Sequence, residues 1–233
     1  MEWLDKVQIY FVGNPNTAPN GWIYNYQTLV AGLLAFIAAF VAALLLWQQH
    51  RELIDRRYRA LRASLPLALS ELHDYTQECL QLLSNAIKYK QDPTAKLDGS
   101  LPALPPTALS TITELIAFAN KQDAKMLQAI LRQVQIQRSR LHSQFREMVA
   151  KTDDAMAPSY HQLKDDVLDA FVIQKMANHL FPYARWEVEH VPQEIDISRS
   201  HEYSMATIFP ETFREYVSEN LGKMVVRAFK DRT

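Results

Sequence analysis

The chain is short of glycine, with 5 residues in 233, where average usage would give about 16. That scarcity argues against phosphate-cradling glycine loops and against turn-rich β architectures. A single cysteine, Cys79, excludes an internal disulfide and any cysteine-cluster metal site. Excess charge is missing as well: the formal net charge is −1, which disfavours a basic nucleic-acid binder. Most telling is a local absence, for no Asp, Glu, Lys or Arg occurs between Lys6 and Arg51.

Inside that uncharged stretch, Thr28 to Leu46 (TLVAGLLAFIAAFVAALLL) has no side chain more polar than its edge threonine. At about 1.5 Å per residue such a helix matches the roughly 30 Å hydrocarbon core of a bilayer. Trp22 precedes it and Trp47 follows, amphipathic rings of the kind that anchor both interfaces. A transmembrane helix is therefore expected over residues 27–47. A signal peptide fits poorly, because the start is Met1-Glu2-Trp3 and no small-residue cleavage site follows the run.

Arg51, Arg56, Arg57, Arg59 and Arg62 crowd the carboxyl-terminal flank against Glu52 and Asp55. The positive-inside rule then puts residues 1–26 outside as a short translocated tail and the carboxyl terminus in the cytoplasm. This collar is read as an orientation signal with headgroup contact, over a juxtamembrane stalk of residues 48–63. Within the span, Ala31, Ala35, Ala38 and Ala42 share one helix face with Gly32, Ala39 and Ala43. Small faces let transmembrane helices approach closely, so self-association or pairing with another membrane protein is expected through them.

Beyond the span, residues 64–233 read as an all-α cytoplasmic bundle of about four or five helices. A 4-3 apolar spacing runs from Ile54 through Leu65, Leu72 and Cys79 to Ala86. Pro66 is expected to bend this helix, with Ser64 capping a restart. Residues 91–106, holding four prolines, read as a linker. Helices follow near Thr107, after a cap at Asp123, after Pro158-Ser159, and from Pro210. The segment 182–209 reads as irregular, and the Arg- and Gln-rich face from Arg132 to Arg146 as solvated.

The pieces YQTLVAGLLAF, RYRALRASLPLALSELHDYTQECLQLL and LFPYAR resemble a group of uncharacterised single-span bacterial inner-membrane proteins. They cover roughly a fifth of the chain. The resemblance implies a bacterial cytoplasmic membrane and carries no activity with it.

Chemistry-bearing patterns are few. His161, Asp165 and Asp169, at i, i+4 and i+8, could share a metal ion on one helix face, although acidic residues early in a helix also suit its dipole. Cys79 on the apolar seam reads as a small buried hydrophobe. No HExxH or Walker-type pattern occurs, and neither a catalytic residue nor a cofactor is assigned. The expectation is a single-pass, membrane-anchored helical binding or scaffold protein, not an enzyme, whose partners are the bilayer and other membrane proteins or copies of itself, without nucleic acid. The alternatives are a membrane-tethered metal-dependent enzyme and a small phage-type membrane factor.

Overall fold

The computed structural model describes residues 21–92, 100–149, 159–192 and 208–230. The tail before Gly21, the middle of the expected linker and most of the expected irregular segment lie outside the described residues. Every described element is helical: α1 (Gly21–Gln91), α2 (Pro106–Phe118), α3 (Lys121–Val149), α4 (Tyr160–Ala184) and α5 (Glu211–Lys230). The chain is all-α, as composition and periodicity require.

Two units divide the chain at Asp55. In the first, the described side chains from Tyr26 to Leu53 are all exposed, including Leu33, Phe36, Phe40 and Leu44. An 18-residue window here has mean hydropathy 2.9 and none of it is buried. This is one helix long and apolar enough to cross a membrane.

The second unit starts at Arg56, and its spine is the remainder of α1. Leu65, Leu69, Leu72, Leu80, Leu83 and Ile87 are buried there, the widened stripe that the sequence spacing gives. Burying each such side chain is worth about 1.5–3 kcal/mol. Together the six exceed the roughly 3 kcal/mol cost of an interior proline, so α1 runs through Pro66 without ending. The expected restart is thus absent. Ser64 does not cap a restart; its Oγ donates to the Leu61 carbonyl at 2.8 Å.

Helix starts follow local chemistry. Pro106 opens α2, where its missing N–H costs nothing, and Glu71 of α1 accepts from the Ala108 amide at 3.1 Å. A carboxylate thereby meets the positive end of the α2 dipole. Asn120, not Asp123, caps α3: its Oδ1 accepts from the amides of Gln122 (2.9 Å) and Asp123 (2.8 Å). Ser159 and Gln162 form a reciprocal capping box at α4. Pro210 stands just ahead of α5, and its carbonyl accepts from Phe213 and Arg214. The α5 stripe buries Phe213, Val217, Leu221 and Val225.

The expected irregular stretch begins later than residue 182, because α4 carries Pro182 inside it and ends at Ala184. The stop is a Schellman motif, in which Trp186 N–H donates to Tyr183 O and Glu187 N–H to Pro182 O. The residue that turns left-handed there is Trp186, with φ of 64°, at a position where glycine is usual.

Candidate functional site

Two groups of polar side chains are built into the helical domain, and sequence spacing marked neither as a unit. The first is centred on Arg62. Its guanidinium is 2 % exposed, so it does not face solvent or headgroups as a collar residue would. Nε donates to the Tyr183 carbonyl at 2.9 Å, Nη2 to Val188 O at 2.5 Å and Nη1 to Glu189 O at 3.3 Å. The guanidinium carbon lies 4.0 Å from the Tyr183 ring centre and 3.9 Å from that of Trp186, close cation–π geometry. Tyr58 and Tyr183 hydroxyls meet at 2.9 Å, and Tyr58 packs edge-on to Trp186. Burial, then the hydrogen bond to Tyr58, push the Tyr183 hydroxyl far above its ordinary range.

The same turn is tied down a few residues later. Asp123 is fully buried and accepts from the Val191 amide at 2.9 Å and from Asn120 Nδ2 at 2.6 Å, with His190 Nδ1 at 3.4 Å. Arg62 on α1 and Asp123 on α3 together fix the end of α4 at Tyr183 and the turn that follows it to Val191. One supplies donors to carbonyls and the other an acceptor to an amide.

The remaining collar residues behave differently from Arg62. Arg51, Arg56, Arg57 and Arg59 are exposed. Arg51 lies over the Trp47 ring at 5.5 Å. Arg57 pairs with Glu114 of α2 at 3.1 Å and lies over Phe118. Trp47 is 62 % exposed, and of Trp22 only its place in α1 is described. Ala31, Ala35, Ala38 and Ala42 are exposed along α1, and nothing lies within 4 Å of a side chain built on Gly32.

The second group lies between α3 and α4. The face from Arg132 to Arg146 is not a plain solvated one, because much of it points inward. Gln133 and Gln137 are buried, Arg132 donates to Ala228 O at 3.0 Å, and Arg138 donates to Pro102 O. Asp169 is 1 % exposed; Gln133 Nε2 donates to its Oδ1 at 2.9 Å and Arg140 Nη1 to its Oδ2 at 2.6 Å. Burial raises its carboxyl above the ordinary range, with the Arg140 charge acting the other way.

The trio His161, Asp165 and Asp169 therefore does not converge. Asp169 turns to α3, while Asp165 accepts from the Tyr216 hydroxyl of α5 at 2.5 Å, which together with burial pushes that phenol up to about 12. His161 stands 3.9 Å from Asp165 and edge-on to Tyr216. The i+4 spacing is real, but α4 is packed on both sides and its carboxylates are drawn to different neighbours. Among the described residues no group of three or more His, Cys, Asp or Glu could hold a metal ion. Cys79 is buried, and burial raises its thiol above the ordinary value.

No protein-family model matches the chain, no curated protein matches it, and no solved structure matches it. The residues themselves are then the whole basis for a functional reading.

Proposed function

We propose that this chain is a single-pass membrane protein whose helical domain works by binding at the cytoplasmic face of a bacterial inner membrane. The observation that carries the reading is the uncharged, fully exposed stretch of α1, which leads into the same helix that forms the core of a helical domain. An 18-residue apolar surface with no protein over it needs a nonaqueous environment. The exposed arginines Arg51, Arg56 and Arg59 follow it directly, and their positive charge favours a cytoplasmic side. Anchoring raises the effective concentration of the domain at the surface without adding contacts, which is what a recruiting or scaffolding role uses.

The small face of Ala31, Ala35, Ala38 and Ala42 supports assembly with itself or another membrane protein. The test is purification of the tagged full chain in mild detergent, with light-scattering mass and mass spectrometry of what accompanies it. A companion at constant ratio, or a defined homo-oligomer, is the expected result. Release of the chain from membranes by salt or alkali alone would overturn the anchor, and a strictly monomeric, unaccompanied chain would overturn the scaffold.

A further inference from the structure

Asp166 sits one turn ahead of Asp169 on the inner face of α4 and is 1 % exposed. Neither of its carboxylate oxygens makes a well-formed hydrogen bond, the Gln144 side chain of the facing helix acting on it only weakly, and Gln144 Oε1 is likewise a buried acceptor without a partner. The layer leaves this carboxylate without a bonded cation. Its guanidinium, Arg140, bonds Asp169, so two buried carboxylates share one cation. A second buried charge without a partner is among the costliest groups a fold can hold, and such groups take up a proton instead.

We infer that Asp166 is a proton-binding site, neutral in the closed layer, and that loss of its proton weakens the closure of α3 on α4. The titratable and charged groups around it lie on α4, α3, α5 and α1. Asp169 and Asp165 are on its own helix and Arg140 is on α3. From α5, the Tyr216 hydroxyl bonds Asp165 and the buried Arg214 Nε has no partner. From α1, His73 meets α4 at Gln174, about two turns further along. Burial, and after it the Asp169 charge, push the Asp166 carboxyl from 3.8 to about 7, with Gln144 and Arg140 opposing. A carboxyl O–H supplies a donor beside the unpartnered acceptor Gln144 Oε1, and it removes the carboxylate's charge.

The sign follows from proton linkage. An opened layer exposes an ordinary aspartate that releases its proton at acidic pH, whereas the closed layer keeps it to near neutrality. The Asp166 contribution to closure is therefore complete below about pH 4, falls as pH rises, and is gone above about pH 7. The experiment is hydrogen exchange by mass spectrometry on the full chain in detergent, comparing wild type with Asp166→Asn over pH 4 to 8. The ratio of opening constants for α3 and α4, wild type over variant, should rise toward tenfold per pH unit and level above about 7. Parallel pH profiles would overturn the proposal. Infrared difference spectra of the wild-type chain with labelled aspartate carboxyls provide a second reading that needs no variant. A protonated aspartate band should be present at pH 5 and lost by pH 9. Its absence at pH 5, or an opening constant that follows sodium or potassium concentration instead of pH, would overturn the proposal equally.

Discussion

Replacing Arg62 with methionine keeps a long flexible side chain and removes the fork. Three carbonyls lose a donor at once, those of Tyr183, Val188 and Glu189. Hydrogen bonds from a charged donor are worth about 1.5–3 kcal/mol each, but the three are not equal. Glu189 is exposed and Val188 half-buried, so water replaces most of what they lose. Tyr183 is fully buried, but its carbonyl keeps the Trp186 amide at 3.2 Å, so it loses one of two donors at a cost of about 1 kcal/mol. Loss of stacking on Tyr183 and Trp186 adds about 1 kcal/mol. The guanidinium's own desolvation, no longer needed, offsets part of this total. The expected loss is about 2 kcal/mol, or roughly a 30-fold rise in opening. Cys79 gives the assay, since it is the one cysteine and is buried. Alkylation of the full chain in detergent under mild urea reports opening of the helical domain, and wild type should label slowly in its absence. Arg62→Lys should fall between wild type and Arg62→Met, because an ammonium lacks the planar fork. If Arg62→Met labels Cys79 within threefold of wild type, the clamp is not holding the domain.

Trp186 offers a comparison within one site: both Gly and Ala lose the ring over Arg62, but only Gly relieves the left-handed φ of 64°. Trp186→Gly should be more stable than Trp186→Ala by about 1 kcal/mol in urea unfolding; equal midpoints would contradict the Schellman assignment. Replacing Ala35 and Ala38 together by Leu should lower self-association in a membrane two-hybrid assay, and an unchanged signal would remove the small face as the contact. Reversing Arg51, Arg56 and Arg59 to Glu should perturb orientation in a dual topology reporter. Arg62→Glu should instead destabilise the domain, and the reverse outcome would return Arg62 to the collar.

Periodicity made most of the fold legible. The stripe from Leu65 to Ile87 and the α5 stripe through Phe213, Val217 and Leu221 are buried as their spacing requires, because one-sided burial leaves a period in the sequence. The start at Ser159 was readable because capping is local chemistry. Pro66 and Pro182 misled for a tertiary reason, since packing on both sides of each proline outweighs a backbone preference. The polar groups were the hardest to read. Arg62 looks like its neighbours Arg57 and Arg59 in sequence, and only a turn more than 120 residues away makes it a buried donor. The His161 spacing gave a face but could not show that Asp165 and Asp169 answer to different helices. Gln133 and Gln137 carry no apolar signature at all, so their burial left no mark beyond the interruption of the α3 stripe at Arg138.

The distance in sequence between Arg62 and its partners also sets a clock. Arg62 reaches the Tyr183 carbonyl across 121 residues and Val188 across 126. At a synthesis rate of about 5–20 residues per second, the arginine emerges roughly 6 to 24 s before anything can cover it. Through that interval the guanidinium is without these carbonyl partners, and no contact made earlier can close the turn. The carboxyl-terminal third of the chain is thus the step that ends exposure. Truncations or pauses before residue 190 should leave a nascent chain that depends on chaperones, whatever the stability of the finished domain.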